Sequence, residues 1–261
     1  MAAARSGHRR QHRGIYVTGD VRPRSMTGRV TLGSGSFGGG RPAPEAGAAL
    51  SEPDRLVSTR AVGILIDALR SRESPMLLDL GRVVGDNVAF FTSRFACRLV
   101  VADLFADLDE RSSAGERNED QTGAWVAETI RAEPESVDAI LCWDTLEHLT
   151  AVEGQILAER LTRVLRPEGI LLLSFSGEWN ARPGYATYGI VDPTTLRRQF
   201  YAGASRQMRV LTSREVTETF RNLSIVDACL FATRAQEMVF RKPSHSTATG
   251  KGVASRPRLE V

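Results

Sequence analysis

Apolar and polar positions along this chain alternate between two periods, and the alternation predicts strands and helices in turn. Met76–Leu80 is a short apolar run of strand length, and Asp86–Phe95 then changes to helical spacing. Arg98–Ala102 is a second strand, ending against Asp103. Ala124–Ile130 reads as helical, Val137–Trp143 as a buried strand, and Val152, Ile156, Leu157, Leu161, Val164 and Leu165 form one helical stripe. Pro167-Glu168-Gly169 turns the chain into strand Ile170–Phe175. Upstream, Ser51-Glu52-Pro53-Asp54 resembles a helix start, and Leu56, Val57, Val62, Ile66 and Leu69 fall near one helical face, predicting a lead-in helix. Downstream, Ser176–Tyr201 reads as irregular and rich in aromatic residues. Thr212 and Glu215 then have capping-box spacing for a helix reaching about Asn222. Leu223–Phe231 and Gln236–Arg241 are separated by a hairpin-scale gap, so they should pair antiparallel.

Strands that alternate with helices predict an α/β fold: a doubly wound, mostly parallel sheet with helices on both faces, closed by a C-terminal antiparallel hairpin. A ligand of such a sheet is expected beyond the strand C-termini. The interval between Asp103 and Asp138 reads as Leu104–Glu110, a polar loop and the Trp125 helix, with no evident third strand.

Composition divides the chain. Residues 1–50 hold ten of the 23 glycines, including Gly33-Ser34-Gly35-Ser36-Phe37-Gly38-Gly39-Gly40, and show almost no apolar periodicity. They are expected to be a disordered tail, as are residues 243–261, which leaves one α/β domain over 51–242. The glycine run is followed by no Lys-Ser/Thr and reads as a linker rather than a phosphate loop. Charge divides in the same way. Residues 1–50 carry eight arginines against Asp20 and Glu45, and residues 241–261 carry five Lys or Arg against Glu260. The overall +3 therefore leaves −7 on residues 51–240. An acidic body argues against a nucleic-acid groove across it. No stretch approaches the length of about 18 apolar residues that spans a bilayer, so a soluble protein is expected, with the cytoplasm as default location. Cys97, Cys142 and Cys229 are odd in number and set among apolar neighbours, which fits reduced thiols.

Asp79-Leu80-Gly81-Arg82-Val83-Val84-Gly85 lies where a strand ends and a helix begins, a place where backbone N–H groups and the helix dipole meet polar ligands. Asp103 ends the next strand 22 residues after Gly81, the spacing of an acid that accepts hydrogen bonds from ribose hydroxyls. Together they point to an adenosine-type cofactor. Ser136–Leu149, containing Cys142-Trp143-Asp144-Thr145-Leu146-Glu147-His148-Leu149, and Leu161–Leu173, containing Arg166-Pro167-Glu168-Gly169, complete a pattern that resembles the class I S-adenosylmethionine-dependent methyltransferases over roughly residues 56–241. The resemblance implies a Rossmann-like fold and S-adenosylmethionine as cofactor. It also implies cofactor contacts from Gly81, Gly85 and Asp103, with Asp79 bracing the loop. One departure is Val83, which stands where the family has a glycine and adds bulk that disfavours positive φ.

Methyl transfer needs alignment first, and a base only where the acceptor loses a proton. His148 is the candidate base; the alternative, a histidine at a helix start making a local hydrogen bond, is the one favoured. Asp144, Glu147 and His148 resemble the metal cluster of ubiquinone-biosynthesis O-methyltransferases, but three ligand types in one short segment are weak evidence, and no metal is expected. Trp179, Tyr185, Tyr188, Phe200 and Tyr201 either line an acceptor pocket or pack the loop on the sheet, with both readings open. Arg182, Arg197 and Arg198 are candidates for an anionic acceptor, weighed against an Arg-rich composition that hints at a GC-rich, bacterial genome. No Asn-Pro-Pro-Tyr-like segment and no Pro-Cys pair is present, so a small-molecule acceptor is expected over nucleic acid. The rival expectation is a degenerate methyltransferase fold that binds or scaffolds without catalysis.

Overall fold

A computed structural model of the chain describes residues 15–18, 55–82, 84–114, 121–178 and 183–244. Its central sheet has seven strands. β3 (Met76–Asp79), β4 (Arg98–Val101), β5 (Val137–Trp143) and β6 (Leu165–Phe175) are parallel, with β3 between β4 and β5. β10 (Gln236–Arg241) joins β6 antiparallel, and β9 (Ser224–Leu230) joins β10 antiparallel, so the expected C-terminal hairpin closes that edge. β5 is buried along its whole length because both of its faces are covered, which is why it reads as a continuous apolar run without alternation.

The two-residue period of the strands divides the core. Leu77, Leu99, Leu141 and Leu172 face one side, under α1 (Ala61–Leu69) and α2 (Gly85–Arg94). Leu78, Val100, Ile140 and Leu171 face the other, under α3 (Leu104–Ala114), α4 (Thr122–Thr129), α5 (Ala151–Val164) and α6 (Ser213–Thr219). α5 and α6 both begin with complete capping boxes, Thr150 with Glu153 and Thr212 with Glu215. Val152 of the predicted α5 stripe is exposed; the other members turn inward. The turn expected at Pro167-Glu168-Gly169 is instead an irregularity within β6, where the register with β5 shifts: a Cβ at Gly169 would lie 2.8 Å from the Arg166 carbonyl oxygen, and Glu168 beside it has a φ of 62°.

Three further expectations need correcting. The edge beside β4 holds a strand after all: β1 (Ile15–Thr18) pairs antiparallel with β4, although it belongs to the segment read as a disordered tail. The rest of that segment, with 245–261, lies outside the described residues. Between Asp103 and Asp138 the described residues form α3 and α4 and no strand, so the edge position is filled from the N-terminal side. Second, the lead-in helix is only α1. Leu56 and Val57 belong to β2 (Arg55–Ser58), held extended by pairing with β8 (Thr195–Ala202), and Ser51–Asp54 lie outside the described residues. Third, the stretch read as irregular contains β7 (Gly184–Asp192) and β8, an antiparallel hairpin that with β2 makes a second sheet in the order β2-β8-β7. Ala186, Tyr188, Ile190 and Leu196 of this small sheet join the core on the α1/α2 side. Among the described residues no helix is long and apolar enough to cross a membrane. Cys97 and Cys142 are buried and Cys229 is half-buried, all three as free thiols.

Candidate functional site

The C-terminal end of β3 is organised by Asp79. Its carboxylate is almost fully buried; Oδ1 accepts from the Gly81 N–H at 3.0 Å and from the Trp143 indole N–H at 3.1 Å, and Oδ2 accepts from the Asn87 amide at 3.2 Å. Burial outweighs these donors and the carboxyl is pushed up to about 6. Gly81 lies against the same indole, and a Cβ there would stand 2.9 Å from Trp143 Cδ1. The glycine is required by close approach, since any side chain would push the loop off its brace. Gly85 is different: it opens α2, and a Cβ would meet no atom within 4 Å. Its neighbourhood is open at the helix N-terminus, where free N–H groups attract a negative ligand. Val83 lies outside the described residues.

Asp103 follows β4 and caps α3, with Oδ1 accepting from the Ala106 N–H at 3.0 Å. It is half-buried, and burial raises its carboxyl while the Ala106 N–H and the Arg82 guanidinium lower it. Asp79, Gly81, Gly85 and Asp103 thus stand around the C-terminal ends of β3 and β4, and the strand order reverses beside them, between β3 and β5.

β7 runs across this end of the sheet. Asn87 clamps it from the first turns of α2, donating to the Tyr188 carbonyl at 2.9 Å and accepting from the Ile190 N–H at 2.8 Å. Arg82 donates to the Tyr185 hydroxyl at 3.3 Å, Tyr185 stacks on Phe105 with centroids 4.5 Å apart, and Tyr188 stacks on Trp143 at 5.2 Å. Arg197 is ion-paired with Asp86. Of the aromatic residues left open between pocket and packing, Tyr185 packs, Tyr188 both packs and lines a cavity, Phe200 lines it, and Tyr201 is an exposed neighbour of Tyr185. Trp179 and Arg182 lie outside the described residues.

At the end of β5 the backbone turns through Asp144, a non-glycine residue with a φ of 46°, into the short 3-10 helix Thr145–His148. Such a conformation costs energy and aims the side chain away from the strand direction. Asp144 Oδ1 accepts from the Ser174 hydroxyl at 2.9 Å and Oδ2 from the Tyr188 hydroxyl at 2.6 Å. Burial chiefly, then the Asp144 charge, raises the Tyr188 hydroxyl well above its usual value, so it stays a donor. Glu147 is buried beneath: it accepts from the Ser176 N–H at 2.9 Å, the Ser176 hydroxyl at 3.1 Å and the Gln207 amide at 3.1 Å. Burial first, then Asp144, pushes its carboxyl up to about 8. The His148 ring is also buried, with Nδ1 3.1 Å from the Ser205 hydroxyl and the ring edge-on to Phe105. Each of these three side chains is engaged with different partners, and the described residues contain no group of three His, Cys, Asp or Glu arranged to hold a metal.

A cavity of about 600 Å³ opens between the small sheet and the ends of β6 and β10, with Asp144, Tyr188 and Arg198 on one wall and Phe175, Phe200 and Phe231 among its apolar lining.

Residues 78–173 match the family model described as a methyltransferase domain. The matched segment, which runs from β3 into β6, is similar to a methyltransferase domain. No curated protein sequence matches the chain. Among solved structures it is similar to a Burkholderia thailandensis 1,6-didemethyltoxoflavin-N1-methyltransferase with bound 1,6-didemethyltoxoflavin and S-adenosylhomocysteine, at 20% identity and a TM-score of 0.45, over 70% of this chain and 77% of that one. It is also similar to the N-methyltransferase NodS from Bradyrhizobium japonicum, at 14% identity and a TM-score of 0.38, over 70% and 94% of the two chains. A third similar structure is an S-adenosylmethionine-dependent methyltransferase from Clostridium acetobutylicum, at 9% identity and a TM-score of 0.41, over 71% and 92%.

Within the matched segment, Asp79, Gly81, Gly85 and Asp103, the residues expected to contact a cofactor, come together, whereas His148 faces Ser205 and Phe105 and does not line the cavity. Sequence reasoning missed the bracing by Asn87 and Trp143. Asn87, an uncharged polar residue in a first turn, carries no local signal, and Trp143 reads as one more apolar strand residue until its indole N–H is seen to need a buried acceptor.

Proposed function

We propose that the chain is a methyltransferase that takes its methyl group from S-adenosylmethionine and delivers it to a small-molecule acceptor. The observation that carries this reading is the bracing of the β3–α2 turn by Asp79 beside the acid that ends β4, within a segment matching the methyltransferase domain model. The residues fit the cofactor. The α2 N-terminus around Gly85 offers N–H groups and open space to a carboxylate, and Asp103 offers an acid at the end of the adjacent strand to ribose hydroxyls. When bound, S-adenosylmethionine supplies a methyl group activated by its sulfonium charge. The chain's own part is then to hold the two substrates in line and exclude water. Asp144 is one of three acids lining the cavity, beside Glu178 and Glu237, and both of its carboxylate oxygens are held by neutral hydroxyls. His148 fits the local hydrogen-bonding role better than that of a base, because its ring is packed between Ser205 and Phe105.

The clamp on β7 favours a second reading. The Asn87 and Arg82 contacts tie β7 to both ends of the β3–α2 turn, as expected of a methyltransferase fold kept as a binding module. Calorimetric titration with S-adenosylhomocysteine separates the two. Saturable binding that Asp103→Ala weakens at least tenfold, consistent with loss of about 1.5–3 kcal/mol per charge-assisted hydrogen bond, supports the enzyme. No heat at millimolar ligand supports the module.

A further inference from the structure

β9 is the last strand of the central sheet, and among the described residues it pairs only with β10. On such an edge, alternate backbone N–H and C=O groups point away from the sheet and can pair with another strand. The side chains of β9 are equally unlike those of a covered strand. Five of its seven residues are exposed and two are half-buried, whereas the four central residues of β10 beside it are buried. Ile225, Val226 and Leu230, at 48%, 40% and 68% exposure, are three of the nine large apolar side chains exposed among the described residues, gathered on one short strand. Proteins that keep an edge unpaired protect it with Lys, Pro or an outstanding charge. Ser224-Ile225-Val226-Asp227-Ala228-Cys229-Leu230 has neither Lys nor Pro, and its one charge, Asp227, is held by Arg60 Nη2 at 3.4 Å. The register with β10 shifts between Asp227 and Ile225, so Asp227–Leu230 is the regular part of the strand.

This edge is complementary to a second copy of itself. Two identical strands pair antiparallel about a two-fold axis, each supplying N–H groups to the other's carbonyls. Directly opposed residues share a face, so the axis must meet a residue rather than the gap between two. At Asp227 it would set acid against acid, an unfavourable pairing. At Ala228 it sets Ala228 against the partner's Ala228, Asp227 against the partner's Cys229, and Val226, at the bulge, against the partner's Leu230. No like charges are then opposed, and the large apolar side chains meet each other. The same register carries the start of the partner's β9 toward Phe231 and Ala232, which wall the cavity.

We propose that the chain forms a symmetric dimer through β9, the central sheet continuing antiparallel from one subunit into the other about Ala228. A strand of seven residues spans roughly 24 Å, so the contact is small for a protein interface and the dimer dissociates on dilution.

The test is light scattering coupled to size-exclusion chromatography of the full chain, over a dilution series starting at about 100 µM. A dimer giving way to monomer is expected. Val226→Lys and Leu230→Lys set a cation on the edge at exposed positions, and each shifts the chain to monomer while leaving the melting of dilute protein unchanged. In a Cys229→Ser background, mild oxidation traps Ala228→Cys as a disulfide-linked dimer, because opposed Cα atoms lie about 4.5–5.5 Å apart. Ile225→Cys in the same background is not trapped, since its two copies stand roughly 20 Å apart in this register. Cys97 and Cys142 are buried and do not compete. A monomer at the highest concentration, a dimer indifferent to both lysine variants, or a dimer without the Ala228→Cys cross-link would each overturn the proposal. Hydrogen exchange of such a monomer then names what holds the edge instead: protected β9 amides assign it to the chain's own terminal segments, and rapid exchange leaves it bare.

Discussion

Glu147 should make the folded domain lose stability as pH rises through neutrality, and Glu147→Gln should abolish that loss. The side chain is only 3% exposed, and burial together with the nearby Asp144 charge pushes its carboxyl from an ordinary 4.5 to about 8. An acid whose folded value is raised favours folding fully below the unfolded value, and that advantage disappears as pH rises through the folded value. The window therefore runs from about 4.5 to about 8. Between pH 6 and 8 the unfolded chain has already released this proton while the folded chain still retains it. At 1.36 kcal/mol per pH unit, the loss over that interval is roughly 2 kcal/mol. For a domain of this size it corresponds to a fall in Tm of about 4–8 °C. Glutamine preserves the shape but cannot ionise. Its amide must face at least one of the donors now served by the carboxylate, the Ser176 N–H or the Gln207 amide, at a pH-independent cost of about 1 kcal/mol. Asp79, pushed up to about 6, acts in the same sense at lower pH, but it is common to both proteins and cancels in their difference. Thermal melts by circular dichroism from pH 5 to 9 measure that difference. The wild type should lose ground against the variant steadily from about pH 5 upward and trail it clearly by pH 8. A constant gap across the whole range would refute a protonated Glu147 in the folded state.

Gly81→Ala places a Cβ 2.9 Å from Trp143 Cδ1 and 3.2 Å from Asp79 Oδ1, so it should cost about 1–3 kcal/mol and abolish measurable S-adenosylhomocysteine binding; unchanged Tm and affinity would show that the turn is not braced as described. Deleting residues 1–20 removes β1 and leaves the outer edge of β4 unpaired, so hydrogen exchange along Arg98–Val101 should quicken while β5 stays protected. Unaltered exchange in β4 would mean that this pairing contributes nothing to the edge.

Much of the central sheet was legible in the sequence for local reasons. β5 coincides with the predicted Val137–Trp143 because seven residues buried on both faces leave an uninterrupted apolar run, and β10 coincides with Gln236–Arg241. The start of α6 follows from the Thr212–Glu215 spacing, since a capping box is made within four residues. The convergence of Asp79, Gly81, Gly85 and Asp103, proposed above as the cofactor end, follows from chain order too, because they lie on one strand–turn–helix–strand unit. The second sheet was not. Leu56 and Val57 match a helical face together with Val62, and only hydrogen bonding to β8, some 140 residues onward, holds them extended. β7 is buried on both faces at its centre and carries Gly184 and Gly189, so it lacks the alternation by which a half-exposed strand is recognised. β1 is four residues long and depends wholly on the vacant edge of β4. The line from Arg198 through Tyr188 to Asp144 depends on a strand register and a stacking of sheets. Period and caps express what neighbours in sequence do to one another, whereas register is set by contacts between segments far apart. The tertiary fold alone decides which of the chain's 32 arginines line one cavity.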